Sequence, residues 1–377
     1  MTAPAALSRA AVESPVPSAR SRPAPARDPF LDNAKFLLVV LVVIGHNWGP
    51  LINEMRVVKA AYLFLYSFHM PAFVLLSGYF SRGFTGRPEQ IRKLAATVLL
   101  PYLIFETAYT ALFTLAWGRP FAITPTTPTY LCWFLLALFV WRITVPVWTA
   151  VRRPVAVSVV VSLASGTTFI HYDLALPRVL QFLPWFVIGL RMAPEHFRRL
   201  RRPAVRRFGV GAAATAAAGA WWIAPRASPN WMPMQYSHTE LHVGLTQYLV
   251  VRAAMLVVSG ALVVAFFAWV PRHRAAFTAL GTVTMYPYLL HGLVVQAAQA
   301  YGLYSLAAWG GVFGAVMVTA GSAAFAVVLT SEPVRRATRW AVEPRSVLRA
   351  LTGPLRRRGP GGFVPSPASE GLTEGTR

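Results

Sequence analysis

Residues 36–52, with the sequence FLLVVLVVIGHNWGPLI, indicate the fold class of this chain. The run contains no aspartate, glutamate, lysine or arginine, and its one ionisable side chain is His46. Its length approaches the ~20 apolar residues that a helix needs to cross the hydrocarbon core of a bilayer. An unpaired strand in hydrocarbon would leave backbone groups without hydrogen bonds, so the run predicts a membrane-spanning helix.

Further apolar runs follow, and together they predict an all-α integral membrane protein, a bundle of about ten transmembrane helices. Of the 377 residues, 55% are hydrophobic and only 13% are charged, whereas a soluble protein carries about 25% charged residues. We therefore expect a multi-pass protein of the cell membrane, with the lipid bilayer as its surroundings. The runs lie near residues 36–52, 60–81, 94–117, 130–150, 155–170, 176–193, 208–225, 246–270, 279–300 and 303–330.

Basic residues are concentrated in every second connection between the runs and in both terminal segments. This alternation predicts that both termini are cytoplasmic, because cytoplasmic connections are enriched in lysine and arginine. The net charge of +23 is explained by this topology, and nucleic-acid binding is disfavoured because no basic patch lies outside it. The basic connections contain Arg82, Arg87, Arg92, Lys93, Arg152, Arg153, Arg191, Arg198, Arg199, Arg201, Arg202, Arg206, Arg207, Arg272 and Arg274.

The terminal segments differ in composition from the apolar part of the chain. Residues 1–27 are rich in Ala, Pro, Ser and Arg without an apolar core, which predicts a disordered cytoplasmic tail and not a signal peptide. Residues 345–377 predict a second, basic disordered tail, and residues 28–335 contain the membrane domain. Cys132 is the single cysteine, so no intramolecular disulfide is expected, and no Cys/His spacing indicates a metal site.

Ionisable side chains inside a bilayer cost at least ~2.5 kcal/mol and usually indicate function. His46, His69 and Glu106 lie eleven to thirteen residues from the basic ends of three successive predicted helices. At 1.5 Å per residue this is about 16–20 Å, so we expect the three side chains to share one cavity. Arg142 is predicted in the same layer, and His291 further toward the outer face.

This polar layer has two possible uses. A histidine could act as general base on a hydroxyl, with a neighbouring carboxylate to orient it. Alternatively, buried His and Glu side chains could relay protons in a transporter or exporter of a sugar or lipid-linked product. The depth and composition of the layer are compatible with both.

Local motifs favour the first use. Residues 32–46, DNAKFLLVVLVVIGH, contain a lysine, ten residues and a histidine, and resemble the opening helix of the membrane acyltransferase 3 family, in particular its fucose 4-O-acetylase-like members. The resemblance covers about residues 28–335 and implies a ten-helix membrane O-acyltransferase. Further segments similar to family motifs are residues 68–80, 99–105, 132–139, 182–189 and 286–291.

The resemblance implies transfer of an acyl group, usually acetyl, from acyl-CoA to a hydroxyl of a small molecule, a glycan or a lipid-linked sugar. Acetyl-CoA or another acyl-CoA would be a co-substrate, and no bound cofactor is expected. His46 is the expected general base, or a transient acyl acceptor. The candidate catalytic residues are His46, His69 and Glu106.

Two further sets of candidates come from their position along the chain. Each has an alternative explanation, since interfacial cations also set topology and small or aromatic residues also pack and anchor helices. The candidates for donor phosphates are Lys35, Arg82, Arg92 and Lys93. The candidates for the acceptor or pocket are Ser77, Trp133, Arg142, Arg178, Tyr288 and His291.

Overall fold

A computed structural model describes residues 28–200 and 202–344 of the chain. Within these ranges the backbone forms helices, turns and connections and no β-strand, which confirms the all-α prediction. The predicted tails, residues 1–27 and 345–377, lie outside the described residues.

The described residues form seventeen α-helices, and a π-helical turn, Ala95–Leu99, joins the fourth to the fifth. Short 3-10 turns occur at Gly49–Leu51, Tyr130–Cys132, Asp173–Ala175, Pro229–Trp231 and Thr278–Thr282. The α-helices are α1 Pro29–Trp48, α2 Arg56–Tyr66, α3 His69–Ser81, α4 Pro88–Leu94, α5 Leu100–Trp117, α6 Trp133–Ile143, α7 Val145–Ala150, α8 Pro154–Ala164, α9 Leu176–Gln181, α10 Leu183–Arg191, α11 Pro194–Leu200, α12 Pro203–Ile223, α13 Leu245–Trp269, α14 Met285–Ala300, α15 Leu303–Trp309, α16 Gly311–Val328 and α17 Glu332–Val342.

Several helical stretches are long and apolar enough to cross a membrane, as expected of a multi-pass protein. There are five among the described residues, or six if α9 and α10, which meet at 64°, form one span. The predicted count of ten is not confirmed, because other apolar runs contain shorter helices. The eleven residues of α8 extend only about 16 Å, half of a typical hydrocarbon core. The five stretches are Pro29–Leu51, Arg56–Ser81, Pro88–Trp117, Leu245–Trp269 and Gly311–Val328.

The break between α2 and α3 has a local cause. Pro71 lies in the first turn of α3, where its missing N–H costs nothing but where the previous helix could not have continued. Ser67, which follows α2, donates its hydroxyl to the carbonyls of Leu63 and Phe64 at 3.1 and 2.7 Å. Its own carbonyl accepts a hydrogen bond from Ser259 of α13. The exposed backbone at the break is therefore satisfied within the bundle, as a membrane interior requires.

The start of α1 is held by the connection that follows α13. The Asn33 amide donates to the carbonyls of Pro271 and His273, each at 3.0 Å, and accepts from the Thr278 hydroxyl at 2.6 Å. Asn33 is fully buried, so these three bonds fix α1 against the segment that leads into α14. This arrangement brings the far end of α1 beside α14, where the candidate site lies.

Small residues set the spacing between α3 and α10. A Cβ at Gly78 would overlap the carbonyl of Phe186, and a Cβ at Gly189 would overlap the carbonyl of Leu75. The two backbones are therefore in direct contact, the arrangement that small residues permit between membrane helices. The geometry supports a packing role for Gly78.

We expect Gly78→Ala to lower the stability of the bundle by about 1–3 kcal/mol, the usual cost of overpacking. The added methyl group has only rigid backbone to displace, so the helices must separate. Thermal unfolding of the purified protein in detergent measures the effect. Gly211→Ala on α12 is the matched control, since nothing lies within 4 Å of its Cβ position. Equal unfolding temperatures for the two variants would contradict the assignment.

Candidate active site

A cavity of about 190 Å³ lies among α1, α2, α3, α6, α9 and α14. Aromatic side chains and two histidines line most of it, with one cation, and no carboxylate is among the lining residues. Ligand sites in proteins commonly combine such an apolar wall with a few placed polar groups. The lining residues are Val42, His46, Tyr62, Tyr66, His69, Met70, Tyr130, Leu131, Trp133, Phe134, Arg178, Phe182, Met232, Pro233 and Tyr288.

His46 contacts a second histidine behind the cavity wall. Its Nδ1 lies 3.0 Å from Nε2 of His291, and Nδ1 of His291 lies 2.6 Å from the carbonyl oxygen of Pro287. A carbonyl only accepts, so Nδ1 of His291 carries a proton. In the neutral ring Nε2 of His291 is then an acceptor, and Nδ1 of His46 donates to it. This assignment leaves Nε2 of a neutral His46 without a proton.

The free nitrogen of His46 is the group available to a ligand. The His46 ring also bonds to the backbone of Val42, one turn earlier, as Nδ1 of His69 and of His291 bond to carbonyls one turn earlier. No hydrogen bond located on Nε2 of His46 is found among the described residues, and His46 is half-buried whereas His291 is fully buried. Next to His46, Gly45 allows the Tyr66 ring to approach, because a Cβ there would lie 2.9 Å from Cε2 of that ring. The local sequence GH thus gives both the histidine and the space for its aromatic neighbour.

His69 is arranged in a similar way on α3. Its Nδ1 donates to the carbonyl of Leu65 at 2.8 Å, so Nε2 is the acceptor nitrogen of the neutral ring. The ring makes an edge-on contact with Tyr66, with centroids 4.6 Å apart. The structure therefore places His46 and His69 in one cavity, on either side of Tyr66, and places His291 behind His46 and outside the lining.

Glu106 lies behind the cavity wall. Its carboxylate is fully buried and accepts two hydrogen bonds from the backbone N–H of Thr129, at 2.8 and 3.0 Å, and one from the hydroxyl of Thr129 at 2.5 Å. The next residue, Tyr130, has a φ of +48°, which is unfavourable for a bulky side chain. The geometry gives Glu106 a positioning contact: it holds the turn that places Tyr130 in the cavity wall.

Arg178 supplies the positive charge of the cavity. Its guanidinium lies over the Trp133 ring at 4.6 Å and over the Tyr172 ring at 5.6 Å. Its Nε is buried and has no hydrogen-bond partner.

Tyr288 directs its hydroxyl away from the cavity, to the carbonyl of Leu131 at 2.5 Å, and presents only its ring.

Besides His291, two further acceptor candidates, Arg142 and Ser77, lie outside the cavity lining. Arg142 donates from Nε to the hydroxyl of Ser81 at 3.1 Å, and Ser81 ends α3, twelve residues or about 18 Å from His69. The prediction that Arg142 lies in the layer of the histidines is therefore wrong. Helix α6 begins beside the cavity and runs away from it, and Arg142 is at its far end. Ser77 donates to the carbonyl of Phe73 at 2.9 Å, within its own helix.

The donor candidates lie at the opposite end of the bundle from the cavity. Lys35 forms a 2.8 Å ion pair with Asp32. Arg82 lies 3.6 Å from the centroid of the Tyr79 ring and donates to the carbonyl of Met192 at 2.8 Å. Arg92 and Lys93 are exposed on α4. The structure does not bring any of the four to the histidines.

A family model described as an acyltransferase domain matches residues 28–330 of the chain. The chain belongs to the acyltransferase 3 family. This membership confirms the resemblance found in the motifs, three of which lie on the helices that carry His46, His69 and His291.

The chain is also similar to the nodulation protein NolL of Mesorhizobium japonicum, with 28% identity over 183 residues. The similar region covers 44% of this chain and 48% of that relative, so the chain spans about half the length of the curated relative. No solved structure matches the chain.

The tyrosines of the cavity were missed in the sequence. Tyr62 and Tyr66 are four residues apart on α2 and stack with centroids 3.8 Å apart; this spacing places them on one face of a helix that leads directly to His69. That spacing was a usable signal. Tyr130, Met232 and Pro233 enter the cavity from connections, and no periodic pattern indicates such positions.

We expect Glu106→Ala to destabilise the protein, because the half-buried N–H and hydroxyl donors of Thr129 lose their acceptor, at a cost of up to about 3 kcal/mol each. Glu106→Gln keeps one acceptor oxygen and should cost less. Thermal unfolding ranks the variants, with Glu54→Ala at an exposed position as the control. If Glu106→Ala unfolds at the temperature of that control, Glu106 does not hold the Thr129 turn.

Proposed function

We propose that this protein is a membrane O-acyltransferase that moves an acyl group, typically acetyl, from acyl-CoA to a hydroxyl of a carbohydrate or related acceptor. It would act in the cell membrane. One observation carries the proposal: the hydrogen bonds from His46 to His291 and on to the Pro287 carbonyl leave Nε2 of His46 free at the cavity. Membership of an acyltransferase family supports the reaction class and gives no support to the transporter alternative.

In the proposed reaction, Nε2 of His46 removes the proton from the acceptor hydroxyl as its oxygen attacks the thioester carbonyl. The C–S bond then breaks, and the leaving thiolate takes the proton back from Nε2. His291 keeps the His46 ring in the required orientation and accepts its Nδ1 proton throughout. Direct attack of Nε2 on the thioester would use the same free nitrogen and form an acyl-histidine first.

The second histidine of the cavity has a different place in the proposal. His69 presents an acceptor nitrogen on the other side of Tyr66, where it would accept a hydrogen bond from a further hydroxyl of the acceptor. An acceptor with several hydroxyls is then held with one of them at His46. Polyhydroxylated compounds such as sugars have this chemistry.

The size of the cavity limits what enters it. Its 190 Å³ is the volume of about six waters at ~30 Å³ each. One sugar-sized group or the acyl end of the donor fits this space, and the rest of either substrate must lie outside. The aromatic wall around Trp133 offers flat faces on which a sugar ring or the apolar part of the donor could stack.

The donor would approach from the end of the bundle that carries Lys35 and Arg82. Lys35 is eleven residues from His46 on α1, or about 16 Å. Acyl-CoA has phosphates at one end and its thioester at the other, so cations at the predicted cytoplasmic end and a base inside the bundle suit its two ends. Arg92 and Lys93 on α4 would add to the attraction for the phosphates.

We expect His46→Ala to lower acyl transfer by about 10²–10⁴-fold, the usual contribution of a general base. His291→Ala should lower it less, and His291→Gln, which retains an acceptor oxygen, should recover part of the loss. Membrane vesicles with labelled acetyl-CoA and candidate acceptors provide the assay. His171→Ala, at an exposed position outside the cavity, is the control and should behave as the unmodified protein.

Full transfer by a folded His46→Ala protein would refute the base assignment. Equal activity of the His291→Ala and unmodified proteins would refute the orienting role of His291. Movement of the acceptor across the vesicle without transfer of label would instead support the transporter alternative.

We expect Arg178→Gln to raise the KM for the acceptor by about tenfold, the cost of one hydrogen bond to a charged group. The KM for acyl-CoA should change little, because the donor phosphates are proposed to bind at the other end of the bundle. Arg119→Gln removes an exposed arginine outside the cavity and serves as the matched control. A larger effect on the KM for acyl-CoA would assign Arg178 to the donor instead.

A further inference from the structure

A second concave surface lies on the side of the bundle, away from the histidine cavity. It is a groove of about 540 Å³ between α2, α12 and α13, and every side chain that lines it is apolar. We call it the lateral groove. Its lining residues are Phe64, Phe68, Gly209, Val210, Ala213, Ala214, Ala217, Leu262, Ala265, Phe266 and Trp269.

The groove exists because α12 has small side chains where it faces α13. At Gly209 the two helices are in close contact, since a Cβ there would lie 3.0 Å from Cα of Ala265. From Gly209 the lining continues along α12 to Ala217, eight residues or about 12 Å. One leaflet of the hydrocarbon core is about 15 Å thick, so the groove has nearly the length of one leaflet.

A cationic cavity of about 350 Å³ adjoins one end of the lateral groove. Arg206, Arg272 and His273 are among its lining residues, and Trp269 belongs to both cavities. The Arg206 guanidinium lies 4.2 Å from the centroid of a Trp269 ring, and the Trp269 indole donates to the Arg206 carbonyl at 3.3 Å. The apolar groove therefore leads directly into a positively charged pocket at the helix ends.

The two arginines are available to an anion. No ion pair found among residues 28–200 and 202–344 includes Arg206 or Arg272, and no aspartate or glutamate lines either cavity. Both side chains are exposed. The lateral groove has nearly the length of one leaflet and ends at two guanidinium groups without an ion-pair partner. This arrangement matches a molecule with a hydrocarbon chain and a phosphate at its end.

We propose that the lateral groove and the adjoining cationic cavity bind one anionic phospholipid. One acyl chain lies along α12 between Gly209 and Ala217, and the phosphate is held by Arg206 and Arg272. The lipid comes from the leaflet that faces the basic connections. It covers the gap between α12 and α13, which the small side chains leave open.

The proposal is tested with the full chain in nanodiscs that contain phosphatidylcholine with a minor fraction of phosphatidylglycerol. Native mass spectrometry after release from the nanodisc measures the lipid retained by the protein. We expect preferential retention of phosphatidylglycerol, reduced about fivefold for each arginine removed in Arg206→Gln and Arg272→Gln. Arg152→Gln with Arg153→Gln makes the same charge change at exposed positions outside both cavities and should not alter retention.

A second variant tests the groove without altering the charge. Ala217→Leu fills the lining surface and should reduce retention to a comparable extent. Ala218→Leu is the matched control, since Ala218 is exposed and is not part of the lining. Thermal unfolding of each variant confirms that it remains folded.

Three results would overturn the proposal. Equal loss in the test and control arginine variants would mean that general surface charge attracts the lipid. Unchanged retention in Ala217→Leu would mean that the groove does not hold the chain. Displacement of the lipid by inorganic phosphate alone would assign the cationic cavity to a soluble anion.

Discussion

The hydrogen bond between His46 and His291 connects the first long helix to α14, and the geometry of the candidate site depends on it. Two neutral imidazoles can bond only if one donates and the other accepts. The acceptor is decided by the Pro287 carbonyl, which takes the Nδ1 proton of His291. A backbone oxygen on α14 thus selects, through one intervening ring, which nitrogen of His46 carries the proton. This effect on the His46 tautomer requires that α1 and α14 stay in a fixed position relative to each other.

Other polar side chains of the bundle are also satisfied by hydrogen bonds to backbone carbonyls. In a hydrocarbon surrounding each needs a partner, and the carbonyl four residues earlier in the chain is commonly within reach. His69 uses the Leu65 carbonyl in this way, which leaves its second nitrogen for the cavity. Polar residues can therefore be buried without long-range partners, and ring nitrogens remain for chemistry. Hydroxyls bonded in this manner include those of Ser77, Ser81, Thr97, Thr107, Thr114, Thr319 and Ser322.

The shortage of carboxylates gives the cations a different environment. With 36 basic residues against 13 acidic ones, most arginines cannot find an ion-pair partner. Several lie over an indole ring instead, which satisfies the charge partly and leaves donors for an anion. Such arginines occur at both ends of the bundle and beside the cavity. The pairs are Arg56 with Trp221, Arg178 with Trp133, Arg206 with Trp269 and Arg252 with Trp231.

The sequence by itself determined the fold class, the family and the two histidines of the cavity. Apolar runs in lipid form helices, because a helix satisfies its own backbone hydrogen bonds. The spacing from Lys35 to His46 is both a family motif and a measure of the depth of His46 in the bundle. It did not give the lengths of the individual spans, because the backbone groups freed at a break are satisfied partly from other helices, as the Ser67 carbonyl is by Ser259. Only the tertiary structure decided that Glu106 binds the Thr129 turn and that Arg142 lies away from the histidines, because partners distant in sequence are chosen by packing. It also decided the free nitrogen of His46, since a tautomer is set by a neighbour that no local pattern identifies.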